Sequence, residues 1–146
     1  MTTRRAAEPL VDHEIPPFER IVGLHNWNRY AAVNDEFVDI HMDDDAGRDA
    51  GYPGAFGMGN LQWSYLHNLI RAWVGDDGRI VRMACQFRGP MLKGSVVRAR
   101  GVVTAVRTEG SETLVDLDLW TEDGAGHRMV PGRATVALAR TTPVPR

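Results

Sequence analysis

The fold is decided by one stretch in the middle of the chain, Gly57-Met-Gly-Asn-Leu-Gln-Trp-Ser-Tyr-Leu-His-Asn-Leu-Ile-Arg-Ala-Trp-Val74. Its apolar residues recur at the three- and four-residue spacing that is typical of one face of an α-helix. Together they form a broad stripe that consists of Leu61, Tyr65, Leu66, Leu69, Ile70 and Trp73. We therefore expect one long helix, buried at the centre of the protein.

The residues after this helix favour β-strands, because they are rich in Val, Leu and Thr and alternate apolar with polar positions. The predicted strands are 79–87, 95–107, 113–121 and 127–138. Thr108-Glu-Gly-Ser and Asp123-Gly124 supply turns for two hairpins between them. With one more strand over 18–22, we expect an antiparallel sheet of about five strands.

The residues before the long helix predict two short helices. The first covers 26–34, with Trp27, Tyr30 and Ala31 facing inward. The second ends near Ala50 and begins at the acidic run 43–45, which supplies an N-cap and a negatively charged first turn. Because helix starts favour acidic residues, this run is better explained as helix-start charge than as a metal site, and we expect no metal.

A long helix wrapped by an antiparallel sheet is the hot-dog arrangement, so the predicted fold class is α+β with a single hot-dog domain. The chain has 146 residues, of which 43% are hydrophobic and 25% charged, and this suits one globular domain. We place the domain at 18–140, between an extended N-terminal arm at 1–17 and a flexible tail at 141–146.

Charge and composition narrow the class of protein. The net charge is −2 and the pI is about 6.2, which disfavours nucleic acid and anionic membranes as partners. Cys85 is the only cysteine, so an intramolecular disulfide is excluded and a reducing compartment is favoured. The N-terminus lacks the apolar segment of a secretory signal, and no apolar run reaches the ~18 residues of a membrane span. We expect a cytoplasmic protein.

Candidate catalytic residues precede the long helix. Glu36 and His41 lie a few residues apart, and Gly57 opens the predicted helix. A carboxylate and an imidazole can share proton transfers, while exposed N–H groups at a helix start can hold a developing negative charge. The pattern predicts an acid/base site beside an oxyanion hole, with Asp35 as the alternative carboxylate to Glu36.

Three motifs resemble the MaoC-like, R-specific enoyl-CoA hydratase branch of the hot-dog superfamily. The first contains Tyr30, Ala31, Phe37, Ile40 and His41, and the second is Pro53-Gly-Ala-Phe-Gly57-Met58. The third is Gln86-Phe-Arg-Gly-Pro-Met-Leu-Lys-Gly94. The chain departs from the family pattern at four positions, where the family has Asp, Asn, Pro and His: Glu36, Val38, Asp39 and Phe56.

The resemblance implies hydration of a trans-2-enoyl thioester, or the reverse dehydration of a 3-hydroxyacyl thioester. It implies catalysis by Glu36 or Asp35, by His41, and by the Gly57 N–H. It also implies that an acyl-CoA or an acyl carrier protein thioester is the substrate and that no further cofactor is needed. The residues expected to bind this substrate are Phe56, Met58, Tyr65, Arg88 and Lys93.

The same residues are compatible with two other functions. The chain can be a non-catalytic or half-site hot-dog subunit of a hetero-oligomeric hydratase, and Asp39 gives it a shorter similarity to a steroid side-chain hydratase subunit. It can also be a hot-dog thioesterase that activates water at the carbonyl carbon. Since hot-dog domains generally dimerise, the resemblance implies a homodimer or a heterodimer with another hot-dog chain.

Overall fold

A computed structural model describes residues 9–139 of the chain. The helices are α1 (Leu24–Asn34), α2 (Asp44–Asp49) and α3 (Gly59–Val74), with single 3₁₀ turns at Asp39–His41 and Gly75–Asp77. The strands are β1 (Glu14–Ile21), β2 (Phe56–Gly57), β3 (Gly78–Cys85), β4 (Met91–Leu92), β5 (Val96–Glu109), β6 (Glu112–Asp123) and β7 (Arg128–Ala139).

Five strands form one antiparallel sheet in the order β1-β5-β6-β7-β3. Two hairpins connect β5 to β6 and β6 to β7, as the sequence predicted. In the second turn, the Asp123 carboxylate accepts hydrogen bonds from the backbone N–H groups of Ala125 and His127, at 2.9 Å each. β3 crosses over to pair with the outer side of β7, and this leaves β1 and β3 as the two edges of the sheet.

Helix α3 packs on this sheet and forms the core with it. Every residue of the predicted apolar stripe is buried, and Gln62 and Val74 are buried with it. Burying a large aliphatic side chain contributes about 1.5–3 kcal/mol, so this stripe is a major source of the domain's stability. A long central helix on a five-stranded antiparallel sheet is the predicted hot-dog fold. Within residues 9–139, no helix is long and apolar enough to cross a membrane.

The first strand is longer than the sequence predicted. It begins at Glu14 instead of residue 18, so it takes up the last four residues of the predicted arm. Its register on β5 shifts between Ile15 and Phe18, across Pro16 and Pro17. Proline lacks the N–H that a central strand needs but is accepted at an edge or a bulge, which is why this sequence does not look like a strand. Residues 1–8 and the predicted tail at 141–146 lie outside the described part of the chain.

The start of the long helix also differs from the prediction. Helix α3 begins at Gly59, not at Gly57, because Phe56 and Gly57 pair with Leu92 and Met91 in a separate two-stranded ribbon. Met58 is the extended residue that precedes the helix. A strand of two residues shows no periodicity, so the ribbon could not be predicted.

A buried amide fixes the position of α3. Gln62 is 1% exposed, and its Nε2 donates a hydrogen bond to the Gly89 carbonyl at 2.9 Å. Its Oε1 accepts a hydrogen bond from the Thr121 hydroxyl on β6 at 2.5 Å. The first turns of α3 are therefore tied both to the middle of the sheet and to the segment between β3 and β4.

Replacing this amide should destabilise the domain. In Gln62→Met the side chain keeps its approximate volume, but the Thr121 hydroxyl and the Gly89 carbonyl lose their partner. We expect the free energy of unfolding to fall by about 3 kcal/mol, measured by chemical denaturation. Thr121→Val leaves only the Gln62 amide oxygen unpaired and should lower the free energy of unfolding by less. The double variant should lower it by less than the sum of the two single variants. A loss below about 0.5 kcal/mol in Gln62→Met would contradict this account.

Candidate active site

His41 lies on the 3₁₀ turn between α1 and α2 and is buried, with 8% of its surface exposed. Its Nδ1 is 2.7 Å from the carbonyl oxygen of Phe56. The Phe56 ring meets the imidazole edge to face, with the ring centroids 5.3 Å apart. The turn itself is closed by the His41 N–H, which donates to the Val38 carbonyl at 2.9 Å. The imidazole is thus held both by its ring nitrogen and by its backbone.

This hydrogen bond determines how the imidazole can react. A carbonyl oxygen only accepts, so Nδ1 of His41 must carry the proton and donate it to Phe56. In the neutral imidazole, Nε2 then keeps its lone pair and is the nitrogen that can accept a proton. The Phe56 carbonyl belongs to the trans peptide whose N–H is that of Gly57. One peptide group therefore joins the candidate base to the candidate oxyanion donor.

Gly57 is required by its surroundings as well as by its predicted role. A Cβ atom at this position would lie 2.5 Å from Cε of Met91 and 2.7 Å from Nε1 of Trp27, closer than real side chains approach. The residue lies in β2, two positions ahead of the first residue of α3. Only glycine allows β2 to lie this close to Trp27.

The two candidate carboxylates follow α1. Asp35 caps this helix in a left-handed conformation with φ of 54° and is exposed, while Glu36 is half-buried and its N–H donates to the Ala31 carbonyl. Within residues 9–139, neither side chain forms a hydrogen bond or an ion pair. The chain places both carboxylates one short loop away from His41 but does not hydrogen bond either to the imidazole. Their catalytic role stays a prediction.

The three residues predicted to meet the acyl group lie in different surroundings. Phe56 is half-buried between His41 and Tyr52, whose ring centroid is 4.3 Å away. Met58 is fully buried in the core. Tyr65 is buried on α3, and this burial raises the pKa of its hydroxyl. The centroid of its ring is 5.4 Å from that of Phe18. Of the three, Phe56 has its ring against the imidazole of His41.

Lys93, predicted to bind substrate, has a partner within the chain. Its ammonium group lies 2.8 Å from both carboxylate oxygens of Asp44. Asp44 also accepts the Ala55 N–H at 3.0 Å, and the pKa of its carboxyl is lowered, first by the Lys93 hydrogen bond and then by that of Ala55. These contacts attach the segment before β2 to the start of α2, so Lys93 contributes to the position of Gly57.

Arg88 and the acidic run complete the predicted set. The Arg88 side chain is exposed, and its Nε donates to the Gln86 amide oxygen at 3.0 Å. Asp43 caps α2, because its carboxylate accepts the Ala46 N–H at 2.8 Å. The run 43–45 therefore serves as a helix start, as the sequence predicted. Within residues 9–139, no three His, Cys, Asp or Glu side chains are grouped so as to hold a metal ion.

An apolar rim that the sequence did not predict lies on the segments that meet at His41 and Gly57. It consists of exposed side chains, Phe37, Val38, Tyr52, Phe87 and Leu92. Tyr52 contacts Phe56, Leu92 pairs with Phe56 across the ribbon, and Phe87 packs on Gly59. Exposure depends on the tertiary arrangement, so these residues could not be recognised from their type alone.

Solved structures of other proteins share this fold. No protein-family model matches the chain, and no curated protein sequence matches it. Among solved structures, the (R)-hydratase from A. caviae involved in PHA biosynthesis is 22% identical, with a TM-score of 0.81 over 91% of this chain and 99% of that one. A MaoC-like dehydratase from Rhodospirillum rubrum is 16% identical, with a TM-score of 0.77 over 91% and 94% of the two chains.

A third similar structure is a complex of two proteins. A chain of the ChsH1-ChsH2 complex from Mycobacterium tuberculosis is 17% identical, with a TM-score of 0.77 over 88% of this chain and 98% of that one. At these identities the likeness is one of fold. The chain thus has the hot-dog fold of the MaoC-like dehydratases and (R)-hydratases, as its motifs predicted.

Proposed function

We propose that the protein is a hydro-lyase that adds water to a trans-2-enoyl thioester or removes it from a 3-hydroxyacyl thioester. The observation that carries this proposal is the hydrogen bond between His41 Nδ1 and the Phe56 carbonyl, 2.7 Å long. It leaves Nε2 free to accept a proton and joins the imidazole to the Gly57 peptide. Support also comes from the fold, which is shared with hydratases and dehydratases.

In the proposed reaction, the water oxygen bonds to the β-carbon of the substrate. The electrons of the double bond move toward the α-carbon and the thioester oxygen, which becomes enolate-like. The Gly57 N–H donates to that oxygen, and a donor of this kind contributes about 3 kcal/mol to lowering the barrier. His41 and Glu36 together accept one proton from the water and return one to the α-carbon, so the pair is regenerated.

We assign the substrate to the thioesters of CoA or acyl carrier protein. The apolar rim offers a surface for an acyl chain, and Arg88 is an exposed cation on the segment that carries Phe87. Arginine suits phosphate groups because its planar guanidinium donates two parallel hydrogen bonds. Lys93 is less suited to the same task, since Asp44 already neutralises it.

A second candidate is a half-site subunit that works beside another hot-dog chain. It is favoured by one observation, that neither Glu36 nor Asp35 hydrogen bonds to His41 within the described residues. A similar structure, the ChsH1-ChsH2 complex, contains two different proteins. In this candidate the partner chain supplies the carboxylate that this site lacks.

The acid/base assignment predicts a pattern of kinetic losses. We expect the purified chain to hydrate crotonyl-CoA, followed as the loss of the thioester-conjugated absorbance. His41→Ala and Glu36→Gln should each lower kcat by about 100-fold or more, the usual contribution of a general acid or base. Asp35→Asn serves as the matched carboxylate control, and His127→Ala, an exposed turn residue, as the matched histidine control.

The controls decide between the two carboxylates. Full activity in Asp35→Asn together with a large loss in Glu36→Gln supports Glu36, and the reverse pattern moves the role to Asp35. Full activity in both His41→Ala and Glu36→Gln would contradict the proposed mechanism.

The two candidate functions predict different behaviour in mixtures. If the chain is self-sufficient, it should be active alone, and light scattering should show dimers of about twice 16.2 kDa. If it is a half-site subunit, we expect it to be inactive alone and to gain activity when it is co-purified with a second MaoC-like chain. Activity that is unchanged by the partner would exclude the half-site candidate.

A further inference from the structure

Among the buried side-chain nitrogen and oxygen atoms of the described residues, one has no hydrogen-bond partner, Nε1 of Trp27. The side chain lies on α1 and is fully buried. A second buried indole shows the usual arrangement, since Nε1 of Trp120 donates to the Glu122 carboxylate at 2.8 Å. Burying an N–H without a partner costs free energy, and native proteins rarely leave such a group unpaired.

The unpaired indole N–H lies beside Gly57, the residue whose own N–H is the candidate oxyanion donor. A Cβ atom at Gly57 would be 2.7 Å from Nε1 and 2.9 Å from Cε2 of Trp27. The edge of the indole that carries the N–H therefore lies against the α-carbon of Gly57. The carbonyl that holds His41 is part of the peptide bond that joins Phe56 to Gly57.

The indole is held in this place by its helix. The backbone N–H of Trp27 donates to the Gly23 carbonyl at 3.1 Å, in the first turn of α1. Asn26 fixes the same turn, because its amide oxygen accepts the Gly23 N–H at 2.7 Å and its amide nitrogen donates to the Ile21 carbonyl at 3.1 Å. These hydrogen bonds fix the start of the helix that carries the indole.

We infer that the Trp27 indole N–H is a second hydrogen-bond donor of the oxyanion site, next to the Gly57 N–H. Its acceptor is the carbonyl oxygen of the bound thioester, which becomes more negative as water adds to the β-carbon. This inference rests on the proposed function. A buried water molecule offers the same oxygen acceptor, but it would hold the N–H whether or not a thioester is bound.

The first experiment measures binding and does not depend on turnover. In uniformly ¹⁵N-labelled protein, the indole N–H resonance of Trp27 is assigned by its loss in Trp27→Phe. We expect this resonance to move downfield when butyryl-CoA, a saturated thioester that cannot be hydrated, is added at saturation. The Trp120 indole resonance is the matched control and should not move, because its N–H already has a partner. A Trp27 resonance that does not move although butyryl-CoA binds would assign the acceptor to water and overturn the inference.

The second experiment measures the effect on the reaction. Trp27→Phe removes the N–H and keeps an aromatic ring, and we expect kcat for crotonyl-CoA to fall about 100-fold with KM little changed. The absorption of a bound 4-(dimethylamino)cinnamoyl thioester, which shifts to the red when its carbonyl is polarised, should shift less in this variant. Trp120→Phe should match the wild type in both measurements.

The outcomes separate the inference from the function on which it rests. If the wild type hydrates crotonyl-CoA and Trp27→Phe does so equally well with an unchanged red shift, the inference is wrong and the proposed function stands. If the wild type neither binds butyryl-CoA nor hydrates crotonyl-CoA, both fail together.

Discussion

The site depends on the peptide group between Phe56 and Gly57. Its carbonyl accepts the Nδ1 proton of His41 at 2.7 Å, and its N–H belongs to the residue proposed to bind the thioester oxygen. Hydrogen bonds in series polarise one another, so donation from the imidazole makes the N–H at the other end of the peptide a stronger donor. The proposed base and the proposed oxyanion donor are therefore coupled by one rigid unit, and a displacement of this peptide would disturb both.

The rest of the fold keeps this peptide in place. The ribbon of β2 and β4 holds it on one side, and the Asp44–Lys93 pair attaches the preceding segment to α2. Gln62 ties the start of α3 to β6 and to Gly89, which brings Phe87 against Gly59. Trp27 and Met91 leave no room for a side chain at position 57. The glycine is thus fixed by packing as firmly as by any requirement of the chemistry.

Periodicity was sufficient to predict the elements that bury many residues. The stripe of α3 and the strands β3, β5, β6 and β7 were all predicted within a few residues of their bounds, because burial on one face leaves a regular pattern. The start of β1 was missed at Pro16 and Pro17, and the two-residue ribbon has no pattern to recognise. At the candidate site, motif order selects His41 and Gly57, whose catalytic roles stay predictions. The partner of His41 is a backbone carbonyl and the neighbour of Gly57 is a tryptophan 30 positions earlier, so neither contact could be deduced from residue spacing.

The hydrogen bond to the Phe56 carbonyl fixes the imidazole of His41 with its proton on Nδ1. Long-range ¹H–¹⁵N correlation spectra of the ligand-free protein test this arrangement, since the two ring nitrogens give separate resonances. At a pH where the ring is neutral, we expect Nδ1 to show the shift of a protonated nitrogen and Nε2 that of an unprotonated one. The opposite assignment, with the proton on Nε2, would contradict the account, because the nitrogen that should accept a proton would already carry one.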